Sequence, residues 1–485
     1  MQLDYSALGI DMAALMPILV LGVLGMAVLV LGLFVGKEQG GVLAGFSLGG
    51  LLVAAVTILP LVGVHRNAFG QMMAVDNFYL FFAMLAIAVT ALAVLLSATY
   101  LDRTGLAHPE YYGLLIFGAM GMLVMISASH LIMLLIGIEL LSLSLYVLAG
   151  FARTRLTSEE AALKYFLLGS FSAGLLIYGI ALVYGATGTL DYAGIAKAIN
   201  AQQGLDPMLL IGMGLVLVGF AFKLSFVPFH MWVPDVYEGA PTPVTAYMAV
   251  GTKAAVFAAM LRLLGTAFPT LQPEWAPMLA VLAALTMIVG NVAAVVQTNI
   301  KRLLGYSSIS HAGYVLIAVV AGGALGNDAA LFYLVAYTVM NFGAFAVMVA
   351  VSGGREERLE LSDYAGLAKR SPWLAAAMAV FMLSLSGAPF TPGFLGKLYV
   401  FSAAIQGGWL WLALVGVATS LVAFYYYLKV VVVMYMSEPA GEVKPSAATL
   451  SMGAVVVVAL FFTVQLGVLP SLFFNLSQLP VAMGM

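Results

Sequence analysis

The stretch GFAFKLSFVPFHMWVPDVY, residues 219–237, places a lysine and two prolines, Lys223, Pro228 and Pro234, at the end of a long apolar run. Proline removes a backbone donor and clashes with the carbonyl one turn back, so a helix is predicted to be broken here. A charge near the middle of a bilayer costs roughly 2.5 kcal/mol or more, and such residues usually face a bundle interior or a water-filled path. The stretch therefore predicts a broken membrane helix, and ion movement is the first functional hypothesis.

The composition is that of an integral membrane protein. Of the 485 residues, 63% are hydrophobic and only 8% are charged, and the mean hydropathy of +1.09 lies far outside the range of soluble domains. The net charge of −2 leaves no basic face for nucleic acid. Because the chain has no cysteine, it has no disulfide, thiolate zinc site or cysteine-ligated iron–sulfur cluster. Its histidines and glycines follow no metal or nucleotide motif.

Apolar runs long enough to cross a membrane follow one another along the chain. A spanning helix needs about 20 apolar residues, and about fourteen such runs lie between polar breaks. They are predicted at residues 13–36, 41–64, 77–100, 111–128, 131–151, 161–187, 208–234, 243–265, 275–298, 303–323, 328–352, 372–406, 409–436 and 447–475. The sequence therefore predicts an all-α polytopic membrane protein.

The seventh and twelfth predicted spans both contain proline well inside the run. In the twelfth, GAPFTPGF, residues 387–394, lies midway along a run too long for one straight helix. Broken helices at corresponding places in two halves are typical of inverted-repeat transporters with a site near the midplane. The predicted organisation is an N-terminal three-helix segment, two inverted five-helix repeats and a C-terminal helix, at residues 1–110, 111–265, 266–436 and 437–485.

The cations of the loops lie mainly on one side of the predicted bundle. One side carries only Arg66, Lys197 and Arg262. The other side carries Lys37, Arg103, Arg153, Arg155, Lys301, Arg302, Arg355, Arg358, Lys369, Arg370 and Lys444. The positive-inside rule therefore predicts that these basic loops face the cytoplasm and that both termini lie on the outer face.

Four ionisable residues lie deep inside apolar spans: Glu139, Lys223, Lys253 and Lys397. At 1.5 Å per residue, Lys253 lies roughly 14 Å from the start of its span, close to the centre of a hydrocarbon core about 30 Å thick. By the same count Glu139 is roughly 12 Å and Lys223 roughly 22 Å into their spans. Lys397 follows the second proline break by five residues. Freed carbonyls and waters at such interruptions are able to solvate a proton or ion.

The interior charges have a functional and a structural interpretation. An apolar environment favours the neutral form of an amine, whereas a nearby carboxylate favours the charged form, so a Glu–Lys pair of variable separation can load and release a proton. We expect Glu139 to be the partner of Lys223, although they lie on different predicted helices. The alternative is a static salt bridge that locks two helices together. Lys253 has no acidic residue in its own span to form one.

Two further residues are candidates for proton transfer, each with an ordinary alternative. His230 follows the first break and could relay protons between Lys223 and Lys253, because an unperturbed histidine pKa of about 6.5 permits both states. A hydrogen-bonded core histidine is the other interpretation. Lys164 lies near the cytoplasmic start of the sixth span, with Glu160 one turn earlier. It is either a surface ion pair, or a proton entrance or contact to a neighbouring subunit.

Three motifs resemble the antiporter-like membrane subunits of respiratory complex I, the NADH–quinone oxidoreductase. They are KLSFVPFHMWVPDVYEGAPTPVTAY (Lys223 to Tyr247), QTNIKRLLGYSSISHAGY (Gln297 to Tyr314) and GFLGKLY around Lys397. The motifs are long, and the resemblance covers essentially the whole chain. Lysine at position 253 makes it most similar to the subunit N branch, since histidine is usual at the matching place in several sister subunits.

The resemblance implies a role for each buried charge. It makes Glu139 and Lys223 the ion pair of the fifth and seventh spans, Lys253 the central relay and Lys397 the terminal lysine, with His230 between the first two lysines. It also implies that NADH, FMN, iron–sulfur clusters and quinone are bound by other subunits and that this chain binds no cofactor. The implied partners are the other membrane subunits, including sister antiporter-like subunits, and lipids of a bacterial cytoplasmic membrane.

The predicted function is proton translocation, driven by electron transfer from NADH to quinone in other subunits of a larger assembly. One rival is a subunit of a free-standing cation/proton antiporter, which has no redox partner. A rival of a different class is a scaffold that only holds the membrane arm together. A scaffold should tolerate methionine at Lys223 or Lys253, whereas a conduit should assemble and lose pumping.

Overall fold

The computed structural model describes residues 11–35, 40–202, 204–352, 357–438 and 450–471. This part of the chain is almost entirely helical, which confirms the predicted all-α polytopic fold. In chain order the helices are α1 Met12–Gly32, α2 Gly40–Ile58, α3 Asn77–Thr104, α4 Pro109–Ser127, α5 Leu131–Ala149, α6 Leu156–Thr187, α7 Tyr192–Ala201, α8 Pro207–Leu224, α9 Val233–Gly239, α10 Thr242–Tyr247, α11 Lys253–Thr266, α12 Gln272–Val295, α13 Ile300–Ala321, α14 Gly323–Val351, α15 Leu367–Arg370, α16 Pro372–Ser386, α17 Pro392–Gln406, α18 Leu410–Met436 and α19 Leu450–Val468.

Smaller elements join these helices. A π-helical turn, Met248–Thr252, connects α10 to α11 without a break. The two strands, β1 Arg66–Ala68 and β2 Met73–Val75, pair antiparallel between α2 and α3. Neither the π turn nor this hairpin is predicted from the sequence, because hydropathy marks the length of an apolar run and not the hydrogen-bond pattern within it.

Thirteen helical stretches in the described part of the chain are long and apolar enough to cross a membrane. They correspond one by one to the predicted spans except the twelfth. Residues 372–406 form two shorter helices, α16 and α17, separated by five residues that include the left-handed Gly387 and Phe390. The twelfth predicted crossing is thus a pair of half-length helices.

The prolines act differently from the prediction at the seventh span. Helix α8 already ends at Leu224, because Ser225 adopts a left-handed conformation with φ of 60°. Residues 225–232 then form turns, and Pro234 lies in the first turn of α9. Pro392 likewise begins α17. A proline in the first turn replaces an N–H that has no helical partner, so both prolines start the second half-helix and do not break the first.

The centre of the bundle is formed by α10, the π turn and α11 together with α13 and α14. The most apolar 18 residues of Thr242–Thr266 are all buried, and nearly all of the most apolar 18 residues of α13 and of α14 are buried as well. In contrast, only about a third of the most apolar 18 residues is buried in each of α1, α2 and α6, as expected for helices that face lipid. Helix α13 packs against α9, α12, α14 and α17. Lys253 therefore lies on the innermost helix.

Two of the predicted loop cations are not solvated loop residues. Lys301 and Arg262 are both almost fully buried, and each pairs with a carboxylate. Lys301 lies in the first turn of α13, and Arg262 lies four residues before the last residue of α11. Three further predicted loop cations, Lys37, Arg355 and Lys444, lie outside the described residues. We call the side that carries Arg103, Arg153, Arg155, Lys301 and Arg302 the basic face.

Candidate functional site

Lys223 is enclosed by aromatic rings in the last turn of α8. It is 5% exposed. Its Nζ atom lies 5.3 Å from the ring centroid of Tyr146 and 5.5 Å from that of Tyr165, and it donates to the Tyr146 hydroxyl at 3.4 Å. Ring faces attract a cation electrostatically. The rings therefore hold the amine in place without supplying a counter-charge.

Glu139 and Lys223 are not in direct contact. No described carboxylate lies within 4.0 Å of the Lys223 amine, and Oε1 of Glu139 is buried without a hydrogen-bond partner in the same ranges. Tyr146 follows Glu139 by seven residues, so it lies two turns later on the same side of α5. Helical side chains lean toward the N-terminus, which directs the Tyr146 hydroxyl back toward Glu139. We therefore expect Tyr146 to lie between the two charges, and a Glu139–Lys223 pair remains a prediction.

Lys253 is the first residue after the π turn and is 3% exposed. Its amine donates to the backbone carbonyl oxygen of Ser308 on α13, and the part of the chain seen in the structure brings no carboxylate within 4.0 Å of it. π-Helical turns occur frequently at functional sites. The extra residue in this turn displaces the helix locally just before the lysine.

The buried face of α13 carries a row of polar side chains beside Lys253. His311 is 2% exposed, and its Nδ1 and Nε2 atoms lie 2.8 Å and 3.0 Å from the hydroxyls of Tyr333 and Tyr427. The Tyr427 hydroxyl also bonds to Ser307. His311 is one helical turn from Ser308 and therefore follows the Lys253 contact along the same helix.

Lys397 lies where the twelfth predicted span is interrupted. It is 5% exposed, and its amine donates to the carbonyl of Ser386, the last residue of α16, at 2.8 Å. The amine also lies 4.9 Å from the ring centroid of Tyr314. The last carbonyls of a helix have no N–H donor within the helix, and the Lys397 amine supplies a donor to the last carbonyl of the first half-helix.

A polar route on α13 joins the surroundings of Lys253 and Lys397. It begins at Ser308, continues through His311 and reaches Tyr314, whose ring centroid is 5.8 Å from that of His311. The Tyr314 hydroxyl bonds at 3.2 Å to Asn291 and to Thr419. Hydroxyl and imidazole groups are able to pass protons where hydrogen bonds or single waters connect them.

From the sequence alone, Ser307, Ser308 and His311 could line a wet path, but helix capping explains the serines equally well. Ser308, His311 and Tyr314 recur every three residues, and Ser307 lies four residues before His311, which places them on one face of α13. That periodicity is the signal that could have found this route. Tyr333 and Tyr427 have no such signal, because they reach His311 from α14 and α18.

His230 lies in the turns that follow the first half-helix. It is half-buried in the turns between α8 and α9, beside the exposed Met231. Its Nδ1 atom is buried with no hydrogen-bond partner among residues that the structure describes. It forms no hydrogen bond or ion pair with Lys223 or Lys253 over those ranges, so its role as a relay stays a prediction.

Lys164 belongs to an ion-pair network on the basic face. Its amine lies 2.5 Å from both Glu160 and Asp235, and Arg302 lies 2.8 Å from Asp235 and 2.7 Å from Glu238. Burial by itself raises the pKa of Asp235, but its hydrogen bonds with Lys164 and Arg302 hold the pKa below the usual value. The network ties α6 to the half-helix α9 and to α13. It includes the ordinary i, i+4 pair and also a contact across the bundle.

Within the described ranges, no three His, Cys, Asp or Glu side chains are grouped so that they could hold a metal ion. The polar groups of the site are amines, hydroxyls, imidazole and backbone carbonyls. These groups transfer or solvate protons.

Comparisons with known proteins agree with this arrangement. Residues 128–423 match the family described as NADH:quinone oxidoreductase/Mrp antiporter, transmembrane. NADH-quinone oxidoreductase subunit N of Trichlorobacter lovleyi is 47% identical, and the match covers 97% of this chain and 96% of that protein. A chain of respiratory complex I from Thermus thermophilus superimposes with a TM-score of 0.81 at 37% identity, with 95% and 98% coverage. A chain of the Mrp complex from a Dietzia species has a TM-score of 0.82 at 22% identity and 96% coverage of both chains, which is a likeness of fold alone.

The fold and the buried amines define a class, the polytopic antiporter-like membrane proteins with lysines along the centre of the bundle. Within that class, identity over nearly the full length of both proteins decides the family. The chain belongs to the NADH-quinone oxidoreductase subunit N family.

Proposed function

We propose that this chain translocates protons across the bacterial cytoplasmic membrane as the N subunit of an NADH–quinone oxidoreductase. Electron transfer from NADH to quinone takes place in other subunits and drives the movement. The observation that carries the proposal is the set of buried amines, Lys223, Lys253 and Lys397, none of which has a carboxylate within 4.0 Å in the described ranges. An amine surrounded by carbonyls, rings and a hydroxyl, without a carboxylate beside it, is free to exist with or without its proton.

Each residue has a distinct part in the proposed path. Glu139 acts on Lys223 across Tyr146, and a change in the Glu139–Lys223 separation alters how firmly Lys223 holds its proton, by about 1.4 kcal/mol for each unit of pKa. Lys253 receives the proton centrally and passes it along α13. Lys397 is the terminal lysine beside the second interruption. The support for this order is that Lys253 and Lys397 contact the same helix at Ser308 and Tyr314.

The proton enters from the basic face, which we place in the cytoplasm with both termini periplasmic. Lys164, in its network with Asp235, lies at that face and is 41% exposed, so it is within reach of water. His230 extends the entrance toward Lys223. The segregation of loop cations supports this orientation.

We further propose that NADH, FMN, iron–sulfur clusters and quinone are held by partner subunits, and that sister antiporter-like subunits and lipids contact this chain. The absence of cysteine from the chain supports the first point. The two interrupted crossings belong to the proposed repeats at residues 111–265 and 266–436, flanked by an N-terminal three-helix segment (1–110) and a C-terminal helix (437–485).

Methionine substitutions test the function. Lys253→Met keeps the length of the side chain and removes the titratable amine, so the complex should assemble in amounts similar to the parent and lose NADH-driven proton pumping. The matched control is Lys429→Met, since Lys429 lies two turns before the end of α18 and its amine donates, within the described ranges, only to the Gln297 carbonyl at 3.4 Å. Pumping is measured in inverted membrane vesicles by the quenching of a pH-sensitive dye.

Normal pumping by Lys253→Met would refute the proposed role in proton transfer and support a scaffold role. Pumping that requires sodium in both parent and control would favour the cation/proton antiporter instead.

A further inference from the structure

A buried carboxylate joins four membrane helices on the basic face. The Glu357 side chain is 6% exposed. Its Oε1 atom accepts from the Tyr100 hydroxyl at 2.7 Å, and from the backbone N–H and the hydroxyl of Thr242 at 3.0 Å and 2.6 Å. Its Oε2 atom lies 3.2 Å from Lys301 and 3.5 Å from Arg155. Burial by itself raises the pKa of Glu357, but Lys301 and the Thr242 hydrogen bond hold the pKa below its usual value.

Lys301 holds the other side of the same junction. Its amine is completely buried and donates to the carbonyl of Ala240 at 2.6 Å as well as to Glu357. Ala240 is the residue that ends the half-helix α9, and Thr242 is the first residue of helix α10. The ion pair thus binds both the last carbonyl before the junction and the first N–H after it, which fixes where α10 begins.

The segment that carries Glu357 is itself attached to α13. Ile300 donates its N–H to the Leu359 carbonyl at 2.7 Å, and Leu361 donates to the Thr298 carbonyl at 2.8 Å. These bonds lie on both sides of Asn299, which caps α13. The loop position of Glu357 is therefore set by the start of α13.

The two helices that start at this junction carry the two partners of the central contact. Lys253 lies eleven residues after Thr242, roughly 16 Å along the helix, and Ser308 lies seven residues after Lys301, roughly 10 Å. Both helices are buried along these stretches. A shift of either helix start is transmitted along a rigid helix to the Lys253–Ser308 contact.

We propose that Glu357 is a positioning residue of the proton path: it holds the start of the helix of Lys253 against the start of the helix of Ser308, and so sets their contact. The proposal rests on the proposed function of Lys253. Glu357 touches neither Lys253 nor Lys223 and carries no proton along the path. The alternative is a purely structural role, in which the loss of Glu357 reduces only the amount of assembled complex.

Three variants separate these roles. Glu357→Gln keeps the shape and removes the charge that holds Lys301, whereas Glu357→Asp keeps the charge. Thr242→Val removes the hydroxyl contact and leaves the Glu357–Lys301 pair in place. The matched control is Glu360→Gln, an exposed glutamate on the same segment, whose capping role a glutamine can also fill.

The measurement is the number of protons pumped per NADH oxidised in membrane vesicles, beside the amount of assembled complex. We expect Glu357→Gln and Thr242→Val each to lower this ratio at least about twofold, Glu357→Asp to restore part of it and Glu360→Gln to match the parent. Where Glu357→Gln assembles poorly, Thr242→Val decides the question.

A parental ratio in Thr242→Val would overturn the proposal, even with a low ratio in Glu357→Gln, because Glu357 would then act through its charge alone. Lys253→Met in the same vesicles tells the two failures apart. Pumping lost in Lys253→Met and retained in Thr242→Val refutes only the positioning role, whereas pumping retained in Lys253→Met refutes the proposed function.

Discussion

Arg262 and Lys253 lie on the same helix, α11, and both are buried, but their surroundings are opposite in kind. Arg262 forms two hydrogen bonds of 2.8 Å with the carboxylate of Asp76, and its Nε atom donates to the Ile126 carbonyl at 3.0 Å. Lys253 has one carbonyl contact and, within the described ranges, no carboxylate within 4.0 Å. One cation is fixed by a counter-charge at a helix end, and the other is left without one at the centre.

The difference teaches which charges hold the fold and which can move protons. A guanidinium stays protonated in proteins and matches a carboxylate in a two-point contact. A lysine amine is a compact charge that readily becomes neutral when buried. The predictions that follow test this division, first at Lys253 and then at the Asp76 pair.

Exchanging the two cation types should have the largest effect. Lys253→Arg keeps a positive charge at the centre but supplies one that does not release its proton, so pumping should fall by more than about tenfold, which corresponds to 1.4 kcal/mol or more in the barrier. Dye quenching in inverted vesicles measures it. The reciprocal variant Arg262→Lys should pump like the parent, because that cation only has to stay charged. Parental pumping by Lys253→Arg would contradict the division.

Removing the arginine of the fixed pair should have the largest effect on stability. Arg262→Met leaves the carboxylate of Asp76 without its partner, and breaking a buried pair on one side costs about 3 kcal/mol or more. The expected result is a lower apparent melting temperature of the purified complex and a lower yield. Lys253→Met is the control, since removing an amine without a carboxylate should leave the melting temperature unchanged or raised. An unchanged melting temperature for Arg262→Met would argue against a structural pair.

The same pair should make stability depend on acid. Burial by itself raises the pKa of Asp76, but Arg262 holds it below the usual value. A carboxyl whose pKa is lower in the folded state stabilises fully above its unfolded value of about 3.9, and that contribution is lost as the pH falls through the folded value. The melting temperature of the parent should therefore fall more steeply below pH 4 than that of Asp76→Asn, in which the cap of α3 is kept.

Asp206→Asn is the control for the acid effect, because Asp206 caps α8 through Met208 and forms no ion pair in the described ranges. It should follow the parent curve. Identical curves for the parent and Asp76→Asn would show that the pair adds nothing to acid stability.

The same division explains what the sequence could predict. Hydropathy marked the spans and the depth of Lys223, Lys253 and Lys397, since a charge in an apolar run is visible in one dimension. The carboxylate partners were missed, because Glu357 lies in a hydrophilic stretch that resembles a solvated loop and meets Lys301 only through folding. The break at Ser225 was missed as well, since a left-handed serine has no composition signal comparable to Pro228.

The pairing of Glu139 with Lys223 shows the limit of motif reasoning. The motifs predict which residues carry charge, but the distance between side chains on α5 and α8 depends on helix packing. In this structure the Tyr146 hydroxyl occupies the place next to the amine. Hydroxyl partners of His311 from α14 and α18 were beyond sequence reasoning for the same reason.

The smallest predicted effect concerns the close approach of the backbone at Gly387 to the amine of Lys397. Gly387 has a φ of +89°, and a Cβ there would lie 3.1 Å from Cδ and 3.3 Å from Nζ of Lys397. Gly387→Ala should thus displace the amine from the Ser386 carbonyl and lower pumping per NADH by roughly twofold, besides a strain of about 1–2 kcal/mol in the left-handed conformation. Gly408→Ala is the matched control, because Gly408 has a φ of +83° and nothing within 4 Å of the added Cβ. It should carry the same strain with a parental pumping ratio, so equal ratios in the two variants would mean that the position of the Lys397 amine does not affect pumping.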